Sequence, residues 1–145
     1  MRRFCFDAGL KLEDFPSGWT QAEEGEEPAR VQCEQVSGKA TRLCYVETVL
    51  HALKQRKDLE VGDANSGRLS LDPLGDQRDA ARVTVPLTTA EGVDADLIVD
   101  MVFVRSDRGL SLGLFIDVVS PFDNDLREQL TATSVGRLSD NLSSG

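Results

Sequence analysis

LIVDMVFVRSDRGLSLGLFIDVV, residues 97–119, decides the fold. Two apolar runs with a period of two flank a short polar turn, Ser106-Asp107-Arg108-Gly109. Alternation of this kind puts successive side chains on opposite faces of a strand, so the stretch reads as a long β-hairpin. Together with Val93 and Ala95, the first arm places Leu97, Val99, Met101 and Phe103 on one face. The second arm adds Leu110, Leu112, Leu114, Ile116 and Val118 to that face, which is expected to lie beneath helices. The opposite face carries Asp94, Asp96 and Asp100, but also Ile98, Val102, Val104, Phe115 and Val119. It is too apolar to be wholly solvated, and is the expected place for a partner, a dimer interface or a ligand groove. In the turn, Gly109 is expected to take a positive φ, as in a four-residue or G1-bulge hairpin.

Working outward, Ala81, Val83, Val85 and Leu87 alternate with Arg82, Thr84 and Thr88 as a further strand. Pro86 has no ladder donor, which predicts an edge strand or a bulge there. Thr89-Ala90-Glu91-Gly92 turns the chain. Leu69 and Leu71 suggest a short strand before the turn Asp72-Pro73-Leu74-Gly75-Asp76, and residues 59–66 read as a connection. Residues 29–36 alternate as an earlier strand. Thr41 is a suitable cap for a helix over 42–56, with an apolar stripe of Leu43, Val46, Leu50 and Leu53. Beyond the hairpin, Ser120-Pro121-Phe122 breaks the strand. A last helix follows over 124–141, capped by Asp123 or Asp125, with Leu126, Leu130, Ser134, Leu138 and Leu142 inward. The expectation is one α+β domain over residues 1–145, fraying at 1–4 and 142–145. It has a curved antiparallel β-sheet of about five strands, with two main helices packed on one face.

At 145 residues the chain can bury a core without a metal or disulfide staple. Its net charge of −9, from 25 acids and 16 bases, repels phosphate backbones and anionic lipid. No nucleic-acid partner is expected, and no run approaches the ~20 apolar residues of a transmembrane segment. Residues 1–6, MRRFCF, start basic but have no apolar h-region, so the chain as written reads as cytoplasmic. The three cysteines are Cys5, Cys33 and Cys44. Cys33 and Cys44 are a candidate disulfide if the protein is exported, and two buried thiols if it is cytosolic.

Little in the chain carries chemistry. His51, the one histidine, sits beside Leu50 and off the main helical stripe. Cys44 precedes it by two helical turns, about 10 Å, too far for a thiol–imidazole hydrogen bond. No Gly-x-Ser-x-Gly elbow, Cys-x-x-Cys pair or phosphate loop occurs. Glu23-Glu24-Gly25-Glu26-Glu27 lacks the ligand spacing of a calcium loop and reads as a solvated turn. Asp94 and Asp96 fall ~7 Å apart along their strand, a spacing open to paired acid–base carboxylates. A solvated face of an antiparallel sheet gives the same pattern and is the reading preferred here. Asn141-Leu142-Ser143 matches a glycosylation sequon. No catalytic residue, metal site or cofactor is expected. Trp19 is either a core anchor or a stacking residue for a ligand.

Phe15-Pro16-Ser17-Gly18-Trp19 resembles the "[L/F]PxGW" entry of a group of small actinobacterial secreted proteins and lipoproteins. Leu74-Gly75-Asp76 with the later strand RVTVPL resembles their "LGD" turn and strand. DMVFVRSDRGLSLGLFIDVVSPFDNDLREQL is similar to their closing hairpin, "PFD" motif and final helix. The resemblance covers both ends of the chain and little of the middle. It implies a PsbP-like or kinase-sensor-domain-like α+β sandwich outside the cytoplasm, without catalytic residues. Arg2-Arg3-Phe4-Cys5 is not a lipobox, so the export signal of that group is missing from the pattern. The expected function is a non-enzymatic binding or sensor domain for a protein or small-molecule ligand, as a monomer or homodimer. The alternative is a cytosolic acidic interaction protein, dimerising in the manner of secretion chaperones.

Overall fold

The computed structural model describes residues 10–20, 47 and 50–143. Within them run five strands: β1 (Leu59–Val61), β2 (Asn65–Arg68), β3 (Gln77–Thr89), β4 (Asp94–Ser106) and β5 (Gly109–Val118). Residues 50–54 are the described end of a helix, α1, and Asn124–Ser143 forms α2. A 3-10 turn, Leu12–Asp14, comes first. All strands pair antiparallel, and β3, β4 and β5 are consecutive hairpin arms. β1 and β2 share the outer edge of β3, opposite Leu87–Thr89 and Ala81–Thr84 respectively. The fold is α+β, with an open five-stranded antiparallel sheet.

Pro86 lies between those two attachments, in an interior strand rather than at an edge. Its carbonyl accepts the N–H of Gly62 at 2.8 Å. N–H and C=O of one extended residue point to the same side. The donor that proline lacks therefore falls opposite Gly62, just past the last residue of β1, where the β1 ladder stops. β1 and β2 themselves form from residues that read as a connection. They are three and four residues long, too short for a period of two to show, and β2 (NSGR) is exposed throughout. Leu69 and Leu71 pack half-buried against the core without joining a strand.

The hairpin turn of β4 and β5 also differs from expectation. Ser106 pairs with Gly109, leaving a two-residue turn of Asp107 and Arg108. The positive φ, 53°, falls on Asp107. That residue's N–H is held by Asp76 Oδ2 at 2.6 Å, in the Gly75 turn. Gly109 serves space instead. A Cβ there would lie 2.8 Å from a Leu138 methyl carbon and 2.9 Å from one of Leu142.

Register divides the core in two. One cluster joins Ala80, Val102, Val104 and Phe115 of the sheet to Phe122 and to Leu130 and Val135 of α2. The other joins Val83, Val85, Val99, Met101 and Phe103, with Leu50 and Leu53 of α1 packed on it. Paired residues share a face, and Ala80 opposes Val102 while Val83 opposes Val99. The two clusters are therefore on opposite faces, and the helices flank the sheet from both sides instead of sharing one. The cause is visible in LIVDMVFV: both sets of alternate residues are apolar, so each face needs a cover. α2 starts under the cap of Asp123, whose Oδ1 accepts the Leu126 N–H at 2.7 Å. Its buried residues are Arg127, Leu130, Thr131, Val135 and Leu138. Ser134 turns toward β5, its hydroxyl hydrogen-bonded to that of Ser111 at 3.0 Å.

Candidate functional site

The sheet face expected to meet a partner is interior. Ile98, Val102, Val104 and Phe115 are all buried, the last three in the cluster that α2 covers. Only two of the expected contact residues reach solvent. Trp19 is 43% exposed. Its ring stands 5.1 Å from that of Phe15 and 5.7 Å from that of Phe122. Phe122 in turn meets Phe115 at 5.1 Å, so the aromatic contacts run from surface to core. Val119 is 75% exposed, with a φ of 78° that β-branched residues rarely adopt. Cys33 and Cys44 lie outside the described residues, as do Cys5, the Glu23–Glu27 loop and the strand expected at 29–36.

His51 is exposed near the end of α1. Asp94 and Asp96 are solvated, as a polar edge of the sheet should be, and Thr88 Oγ1 donates to Asp94 Oδ1 at 2.7 Å. Asp100 departs from the solvated reading. It is 0% exposed, and both its oxygens are occupied. Arg82 of β3 grips it with two bonds, Nε to Oδ1 at 2.7 Å and an Nη to Oδ2 at 2.9 Å. Arg127 of α2 adds a third to Oδ2, at 2.5 Å. A second Arg127 nitrogen donates to Asn124 Oδ1. Burial by itself would raise the Asp100 pKa. The hydrogen bonds and charges of Arg82 and Arg127 outweigh it and hold the carboxyl below its ordinary 3.8. A carboxylate buried and paired in this way is a poor base at neutral pH. The triad ties β3, β4 and α2 together.

A second ion pair fixes the N-terminal turn. Arg137 of α2 donates to Asp14 at 2.5 and 2.6 Å. The Lys11 N–H also donates to Asp14, at 2.7 Å. Hydrogen bonds from Arg137 and then Lys11 lower the Asp14 pKa. Phe15 and Trp19 thereby stay seated against Phe122.

The exposed apolar surface is elsewhere, on the α1 face along β5. Leu110 is 48%, Leu114 37%, Ile116 51% and Val118 49% exposed. They alternate on one strand and so form a single ladder. Among the described residues β5 pairs only with β4, and its other edge is open. A depression of about 180 Å³ lined by Ser66, Gly67, Arg68 and Ala81 sits at the β2 edge, away from β5. It is smaller than the roughly 300 Å³ of ordinary ligand pockets. Among the described residues, no three His, Cys, Asp or Glu side chains are grouped to hold a metal ion. No described helix is long and apolar enough to cross a membrane. Comparison with protein families, with curated proteins and with solved structures finds no match.

Proposed function

We propose that this chain is a non-enzymatic binding module, of the extracytoplasmic kind its motifs resemble, that contacts a protein partner along β5. One observation carries the reading. Leu110, Leu114, Ile116 and Val118 form an apolar ladder beside a strand edge that is unpaired among the described residues. Isolated exposed apolar residues are ordinary, whereas a contiguous row on an open strand is a recognition surface or a liability. An extended partner segment added to such an edge gains main-chain hydrogen bonds, and the ladder selects its side chains. The burial of Asp100 between two arginines supports the non-enzymatic half of the reading.

The test compares the immobilised parent with Ile116→Lys in a cell-envelope extract. Proteins retained by the parent and lost by the variant support the reading. No retention, or equal retention by both, overturns it. The same open edge favours a second reading, a cytosolic acidic interaction protein. The codons upstream of Met1 separate the two: an in-frame signal peptide or lipobox supports the first, and a promoter and ribosome-binding site directly before Met1 the second.

A further inference from the structure

We propose that the edge of β5 that stands open among the described residues pairs antiparallel with the same edge of a second copy of this chain, about a two-fold axis at Leu114. This rests on the reading of β5 as the contact surface and names one occupant of it. The direction of the backbone groups carries the inference. Val119 donates its N–H to Asp96 O at 2.8 Å, next to the pair Leu97–Val118. In an antiparallel ladder, hydrogen-bonded and non-bonded pairs alternate. Leu110, Leu112, Leu114, Ile116 and Val118 are therefore the non-bonded partners of β4, and they direct N–H and C=O to the open edge. Four of these five are also the exposed ladder.

The strand is complementary to itself in one register. With Leu114 opposite its own copy, Leu112 meets Ile116 and Leu110 meets Val118, so apolar residues pair throughout. Asp117, the one charge on β5, falls opposite Ser111 and not opposite another carboxylate. No Lys, Arg or Pro blunts the edge, the usual devices against such pairing. The ladder closes at its end, where the Val118 N–H is already held by Asp117 Oδ1 at 2.7 Å. The exposed ladder amounts to roughly 300 Å² of apolar side chain per copy. With the edge backbone the interface lies near the low end for specific association, about 1,000 Å², so the dimer is weak and forms reversibly with concentration. Each copy carries a charge of −9, so mutual repulsion weakens pairing at low salt and added salt tightens it.

Sedimentation velocity on the full chain, from about 1 to 300 μM, reads this directly. The expected mass rises with concentration from 15.8 kDa toward twice that value, and rises further with added salt. Ile116→Lys, at a half-exposed position that folding tolerates, stays monomeric, as does Leu114→Arg at the axis. Hydrogen exchange followed by residue supplies an independent readout. The amides of Leu112, Leu114 and Ile116 gain protection with concentration, while those of Gly113 and Phe115, already bonded to β4, do not. A monomer over the whole range overturns the inference. So does a dimer that survives Ile116→Lys, or whose protection does not alternate. The extract experiment fails separately: a β5 dimer that retains no other protein overturns the proposed function and leaves the dimer standing.

Discussion

Asp100 is the residue on which most of the polar interior depends. Replacing it with Asn keeps its size but leaves Arg127, which is 2% exposed, without a counter-charge. Breaking a buried pair from one side costs about 3–5 kcal/mol. Asp100→Asn is therefore expected to lower stability by that order at pH 7, measured by urea unfolding. The penalty depends on pH in a defined direction. The folded-state pKa of Asp100 lies below its ordinary 3.8, so its contribution is complete above that value and is lost as pH falls through the folded one. The difference between parent and variant should shrink as pH falls below 3.8 and through the folded-state pKa, and a difference that grows with acid would refute the assignment. Gly75 gives a second residue-scale prediction. Its φ is +64°, and a Cβ would lie 2.5 Å from the Arg105 carbonyl oxygen. That oxygen is fixed, accepting the Asp76 N–H at 2.8 Å. Gly75→Ala thus meets both a left-handed backbone and an immovable atom, and is expected to cost about 2–4 kcal/mol in the same assay. Of the triad, the sequence shows the face and hides the burial. Arg82 and Asp100 sit on the same side by alternation, but Asp94 and Asp96 share that side and are solvated. The distinguishing signal is local: Asp100 is the only charge within an eight-residue apolar run, which no solvated residue needs. Arg127 is signalled only by its place on the helical spacing 127, 131, 135, 138, which a reading through Leu126 and Ser134 passes over.

At the scale of elements, α2 acts as a clamp with four side-chain attachments, one of them the Ser139 hydroxyl hydrogen-bonded to that of Ser106 in β4 at 2.9 Å. Its N-terminal turn holds Asp100 through Arg127, its middle meets β5 through Ser134, and Arg137 holds Asp14. The last attachment positions a segment with little else to seat it. The 3-10 turn has no buried residue, and Trp19 touches the body through the Phe122 ring. Arg137→Ala is therefore expected to release Trp19 without unfolding the sheet. As the only tryptophan, Trp19 reports this alone: emission shifts to the red and acrylamide quenching rises, while the far-ultraviolet melting transition is retained. Unchanged quenching would mean that the aromatic contacts, not the ion pair, seat the turn. The long elements β3, β4, β5 and α2 were legible from periodicity because each spans ten residues or more. The short ones were not. β1 and β2 exist because β3 offers them an edge, a tertiary cause with no local trace.

At the scale of the whole molecule, the sheet is a shared wall between two cores. The doubly apolar run of β4 states in the sequence that both faces need covers. What it does not state is which helix takes which face, since either helix offers a stripe that fits. The consequence is a coupling between faces that are not in contact. Leu130 of α2 is buried against one face of the sheet and Met101 on the α1 face, each 1% exposed. Truncating either to Ala leaves a cavity and is expected to cost about 2–5 kcal/mol. Both cores hang on the backbone of β3 and β4, so neither face can open without stripping the other of half its wall. Met101→Ala should therefore move the Trp19 fluorescence transition, reported from the α2 side, by the same amount as the circular dichroism transition of the sheet. Leu130→Ala should do likewise, with coincident curves in both variants. Were Met101→Ala to shift the dichroism midpoint and leave the Trp19 midpoint in place, the faces would be separate folding units and the sheet would not couple them.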